Sequence, residues 1–236
     1  MTETETDLTT VRLRLMESTQ SLLGNTIAID DAQWLCLSRL PGWTRAHVAA
    51  HLARNADALA GVMQELRQNG PTSLYESDDA HFDQIERGSE RTAMELQVDL
   101  DASAGRLDAS FNGLPGLPPD RLVCLSPTMT VRLDRLPVAR LNEVVLHHID
   151  LDVGFTCADV SDEVAHWLLA YNAERVGRSS GYPAIRLASD SGVNAVIGGP
   201  GHPIIAHGQD NQLLGWLTGR LDPDQVDKRL PPLPCR

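Results

Sequence analysis

Apolar residues recur at Leu8, Val11, Leu15 and Leu22, the spacing of an amphipathic helix, so a helix is predicted over Asp7 to about Asn25. Asp30 to Leu40 lacks a clear period and reads as a linker, punctuated by Pro41 and Gly42. Thr44 is the predicted N-cap of a second helix that runs to about Arg67. "NGPTS" (69–73) breaks the pattern, and "DDAHFDQIERG" from Asp78 reads as a short helix. Ala93, Leu96, Leu100, Ala104 and Leu107 share one stripe, which predicts a long helix from Ser89 to about Phe111. "NGLPGLPPD" is a loop by composition, and "RLVCLSPTMTVRLDRL" alternates weakly around "SPT", the pattern of a hairpin. Pro137 then opens a helix from Val138 to about Gly154 that is apolar nearly all round.

Past residue 155 the rhythm changes. "FTCADVSDE" acts as a joint, and Ser161 is placed to cap a helix from Asp162 to Arg178, with Glu163 and Glu174 on its wet side. Three short strand-like runs follow, "AIRLAS", "NAVIGG" and "PIIAHG", separated by Gly and Pro. A last helix, "DNQLLGWLTGR", precedes an irregular tail. The expected architecture is therefore mainly α: a four-helix bundle over 1–155 and a small α+β domain over 156–236.

Composition agrees with packed helices. Apolar residues make up 42% of the 236 and aromatics only 4%, so Leu, Val and Ala must fill the core. The formal net charge of −12 argues against nucleic-acid and anionic-membrane partners, and no basic run interrupts it. No apolar run is long enough to span a bilayer. "MTETETDLTT" carries no hydrophobic signal segment, so a cytoplasmic location is expected. Cys36, Cys124, Cys157 and Cys235 show no CxxC spacing and read as ordinary thiols.

The informative polar residues lie on apolar helices. His51 falls within about 60–80° of Val48, Leu59 and Leu66 at 100° per residue, at the edge of the inward arc. His47 lies one turn earlier. On the most apolar helix, Glu143, His147 and Asp150 form one stripe. A buried carboxylate costs several kcal/mol unless it is paired or bound to metal. Two outcomes remain open on spacing alone. One is an i,i+4 ion pair of Glu143 with His147. The other is a divalent metal held by His51, Glu143 and His147, with a fourth position open in the manner of catalytic zinc. Asp150 would then accept a hydrogen bond from a ligand imidazole, and His47 would be a supporting group or spare ligand. His148, His166, His202 and His207 have no such context. There is no GxSxG and no P-loop, and "GGPGHP" joins two strand-like runs, not a strand and a helix.

Two segments, "LPGWTRAHVAAHLARNADALAGVM" (40–63) and "RLNEVVLHHIDLDVGFTCADVSDE" (140–163), resemble the mycothiol-dependent maleylpyruvate isomerase family, a branch of the DinB-like four-helix metalloproteins. "YESDDAHFDQIERGS" (75–89) and "LLGWLTGR" (213–220) are similar to further parts of that family. The resemblance implies zinc held by His51, Glu143 and His147, mycothiol as thiol cosubstrate, and a cytoplasmic enzyme acting on a small molecule as a monomer or weak dimer. It also implies a catalytic Arg within 75–89, where this chain carries His81, with Arg87 nearby. His81, Arg87 and Arg54 are the candidates for the pocket lining, Arg54 on the cosubstrate side.

On this reading a zinc-activated thiolate adds to a conjugated cis double bond, the resulting single bond rotates, and the thiolate leaves to give the trans isomer. Two other functions stay open: a mycothiol S-transferase, which the loss of an Arg clamp favours, and a non-catalytic binding protein on the same fold.

Overall fold

Each of the four long helices of the first unit has an apolar stripe that only another such stripe can cover. α1 (Leu8–Thr26) buries Val11, Leu15 and Leu22. α3 (Arg45–Arg67) buries Val48, Leu52, Leu59, Val62 and Leu66. α5 (Ala93–Phe111) contributes Leu96, Leu100 and Leu107, and α6 (Leu136–Asp150) Leu141, Val144, Val145 and Ile149. α3 packs on α5 and α6, and α1 on α6 and α5, which closes the bundle. A hairpin of β1 (Leu122–Ser126) and β2 (Met129–Arg132), antiparallel and irregular between Cys124 and Ser126, leads into α6. This is a mainly helical chain with a small β part. The structure, a computed structural model, describes residues 8–68, 73–75, 77–126, 129–177 and 181–233. Most of the "NGPTS" break, the centre of the hairpin, Arg178 and Cys235 lie outside them. Among the described residues, no helix is long and apolar enough to cross a membrane, and Cys36, Cys124 and Cys157 are thiols.

Capping chemistry moved several boundaries. The linker at 30–40 contains a short helix, α2 (Asp31–Trp34), because Asp30 and Gln33 form a reciprocal capping box. α4 (Asp78–Ser89) starts where the sequence pattern predicts, behind the Ser77 cap. α5 then starts at Ala93, not Ser89, because Thr92 and Glu95 make a second capping box. α6 ends at Asp150, four residues short of the expected stop. The chain turns there through left-handed backbone at Asp152 (φ 54°) and Gly154 (φ 96°), and Arg45 donates to the carbonyls of Leu151 and Asp152, both at 2.8 Å.

α4 lies against α3 across Gly88. A Cβ built at Gly88 would sit 2.8 Å from Cβ of Ala50, closer than carbon atoms pack. Gly88→Ala is expected to cost about 1–3 kcal/mol by overpacking. A drop in the urea midpoint at unchanged slope checks this; a midpoint equal to wild type contradicts it.

The chain divides at Gly154/Phe155. In the second unit, α7 (Asp162–Gly177) packs on α8 (Asp210–Leu217) and on β4. Its sheet has the order β4 (Asn194–Ile197), β3 (Ile185–Ser189), β5 (Ile204–Gly208). β3 pairs antiparallel with β4 and parallel with β5. Ile185, Leu187, Ile197 and Ala206 fill its inner face. Glu163 and Glu174 are exposed, as the sequence pattern predicts.

Candidate metal centre

Two helices bring three side chains together. His51 lies in the second turn of α3, and Glu143 and His147 lie one turn apart on α6. His51 Nε2 is 3.1 Å from Glu143 Oε2, and His147 Nε2 is 3.3 Å from the same oxygen. One candidate ligand atom from each residue lies within 4.8 Å of the others. The two imidazoles meet edge to face, centroids 4.7 Å apart. Ligands about 2.0–2.2 Å from a tetrahedral ion stand roughly 3.3–3.5 Å from one another, so these spacings suit a shared small cation.

The tautomers sharpen the point. Nδ1 of His147 is 2.9 Å from Oδ2 of Asp150, a buried carboxylate that can only accept. Nδ1 therefore carries the proton. In the neutral ring, Nε2 then presents a lone pair to the carboxylate oxygen of Glu143. Two acceptors 3.3 Å apart require a proton or a metal ion between them. Without metal, a proton fills the role. Burial lowers the pKa of His147, but its bonds to Asp150 and Glu143 and their charges outweigh that and raise it. Burial likewise pushes the Glu143 carboxyl up, and the hydrogen bonds from His147 and His51, with their charge, bring it well below the usual carboxylate range. Burial dominates at His51 and lowers it, and His51 Nδ1 is buried with no partner. The donor set, two imidazoles and one carboxylate, fits a divalent cation of the zinc class.

His81 of α4 also faces this place. Its ring is 5.6 Å from that of His51 and stacks on Tyr75 at 3.7 Å. Burial, helped by the charge of His51, lowers its pKa to about 4. The ring is thus neutral at pH 7, with its Nδ1 buried and unpartnered. A folded-state value below the unfolded 6.5 contributes stability above pH 6.5, and that contribution is lost as the pH falls towards 4. The full shift corresponds to about 3 kcal/mol, and half-exposure of the ring reduces it to about 1–2 kcal/mol. His81→Asn in metal-free protein should therefore lose less stability than wild type between pH 7 and pH 5. Parallel urea titrations at the two pH values check it; identical losses contradict it.

The other candidates lie elsewhere. His47 completes the α3 capping box with Thr44, its Nδ1 2.7 Å from Thr44 Oγ1 and its Nε2 3.4 Å from Glu86. Its two nitrogens are thereby occupied at the α3–α4 contact, away from the ligand cluster. The guanidinium of Arg54 is taken up by Asp99, at 2.6 and 2.8 Å, and by Asp57 at 3.1 Å, so it ties α3 to α5. Arg87 is exposed in the last turn of α4, about 240° around the helix from His81. His148 is buried beside Asn25.

Three residues here escaped the sequence reading. Arg140, only 4% exposed, donates through one Nη to Leu52 O at 2.9 Å and to Asn55 Oδ1 at 2.7 Å. Burial brings its pKa down to about 10. Asn55 Nδ2 donates in turn to the Tyr75 hydroxyl at 3.3 Å. Arg140 stands seven residues before His147, on the same helix stripe, a signal the sequence did carry.

The sequence matches the family model of the mycothiol maleylpyruvate isomerase N-terminal domain over residues 15–152, more than half of the chain. The fold matches the crystal structure of the mycothiol-dependent maleylpyruvate isomerase with a TM-score of 0.86, and that of a mutant of it with 0.85. Both cover 100% of each chain at 22% identity. A protein of Salinispora arenicola (strain CNS-205), UDP-N-acetylenolpyruvoylglucosamine reductase, is 30% identical over 152 residues, 61% of this chain. The aligned region spans 39% of that relative's length.

Proposed function

The chain belongs to the mycothiol maleylpyruvate isomerase family, and from that membership and the site's geometry we propose a zinc- and mycothiol-dependent enzyme that isomerises the cis double bond of maleylpyruvate or a related unsaturated acid. The observation that supports the metal is the convergence of His51, Glu143 and His147, whose candidate ligand atoms all lie within 4.8 Å of one another. His51, Glu143 and His147 would hold the ion. When bound, zinc supplies a positive charge that lowers the pKa of a coordinated thiol into the physiological range. Asp150 fixes the His147 tautomer, so that Nε2 stays available. Trp43, 5.6 Å from His51 between ring centroids, and the stacked Tyr75–His81 pair stand beside the cluster.

S-transfer is the second reading, and neutral His81 favours it. A neutral ring on α4 offers no bidentate clamp for a dicarboxylate. The test uses the purified full chain. Its zinc content is measured, and the protein is incubated with mycothiol and maleylpyruvate, then with alkylating electrophiles. Trans product without a retained adduct supports the isomerase, and a stable mycothiol adduct by mass spectrometry supports the transferase. A chain that takes up no zinc and turns over nothing overturns both.

A further inference from the structure

The relay from Arg140 to Tyr75 has a direction. A guanidinium can only donate, so the oxygen of Asn55 must face Arg140. The NH2 of Asn55 must then face Tyr75, whose hydroxyl oxygen accepts. The proton of that hydroxyl is left over, and it has no acceptor among the described residues. The ring carrying it stacks on His81, which abuts His51 of the candidate metal cluster. A half-buried O–H whose oxygen already accepts, and whose proton is unused among the described residues, is a donor available to a ligand beside the cluster.

We infer that Tyr75 is a catalytic residue, donating its hydroxyl proton in a hydrogen bond to the conjugated carboxylate or carbonyl oxygen of an unsaturated acid, with Arg140 and Asn55 as positioning residues. The inference rests on the thiol-addition reading above and adds the group that receives the displaced charge. As the C–S bond forms, the π pair of the double bond moves through the conjugated system onto that oxygen. The former double bond is then single and rotates. The pair returns, the C–S bond breaks, and the thiolate is regenerated. Tyr75 keeps its proton throughout. Burial raises its pKa to about 12, so it does not ionise as charge builds beside it. Its hydrogen bond shortens and strengthens as the acceptor becomes anionic.

The experiment compares wild type with Tyr75→Phe and Asn55→Asp in the full zinc-loaded chain. Tyr75→Phe should lower kcat roughly 100-fold, as loss of one preorganised oxyanion donor does. It should also weaken binding of maleate, a cis-unsaturated dicarboxylate probe, about 10-fold in calorimetry without mycothiol, and leave zinc content unchanged. Asn55→Asp keeps the shape but turns a donor into an acceptor, so the Tyr75 proton rotates inward. It should reproduce both losses with a melting temperature no lower than wild type, which a merely structural role would not do. Unchanged kcat and unchanged maleate affinity in Tyr75→Phe overturn the assignment even if wild type is an active isomerase. Weaker maleate binding in Tyr75→Phe, with no mycothiol-dependent turnover in wild type, overturns the proposed reaction and leaves Tyr75 as a ligand-binding group.

Discussion

His51→Ala is expected to purify folded, with less than a tenth of the wild-type zinc and no measurable mycothiol-dependent turnover. The imidazole supplies one of three converging donors, and its Nε2 lies 3.1 Å from Glu143. Removal leaves a two-residue set on α6. Altering groups that merely support a ligand costs about 10–100-fold in metal affinity, and deleting the ligand itself costs more. The fold should tolerate the change. His51 is neutral, and its Nδ1 is a buried nitrogen without a partner, so the variant also discards an unsatisfied polar atom. Zinc at about 1,000 times its dissociation constant should stabilise wild type by roughly 4 kcal/mol, a rise of about 8–16 °C in Tm for a domain of this size. His51→Ala should show none of that rise. His47→Ala is the matched control: its nitrogens are spent on Thr44 and Glu86, so zinc content should persist. Zinc retained by His51→Ala, or lost equally by both variants, removes the basis for the metal centre.

The convergence of Glu143 and His147 was legible because it violates a pattern. Glu143 and His147 are polar groups on a helix whose other inward positions are largely apolar, and α-helical periodicity puts them on one line, so a shared partner could be expected before any coordinates. The same period put Leu96, Leu100 and Leu107 on the buried face of α5. Boundaries were less legible at α2 and α5, since Asp30 and Thr92 fix those helix starts through reciprocal capping boxes that no hydrophobic period records. Arg54 shows a further limit. One helix's sequence gives the direction of a side chain but not what waits there, and Asp99 of α5 had already claimed it. The relay is the extreme case. Arg140, Asn55 and Tyr75 come from α6, α3 and the segment before α4, and each alone looks ordinary.

That relay also predicts a large loss of stability. Arg140→Ala should lower the unfolding free energy of metal-free protein at pH 7 by about 3–5 kcal/mol, the range for breaking a buried charged contact. Three losses coincide. Asn55 Oδ1 loses its donor and is left inside without water, about 1–3 kcal/mol. The volume of the arginine stem, between α3 and α6, becomes a cavity. The buried Glu143 carboxylate loses a nearby positive charge, the same charge whose field opposes protonation of His51. Arg140→Met separates the contributions, because it refills the stem but restores neither charge nor donor; about half of the loss should return. Zinc should narrow the gap between Arg140→Ala and wild type, since a bound cation replaces the missing charge beside Glu143. Urea titrations of the three proteins, metal-free and zinc-loaded, read all of this. Arg140→Ala within 1 kcal/mol of wild type would mean that the buried guanidinium carries no structural weight, and that the orientation it gives Asn55 and Tyr75 has another origin.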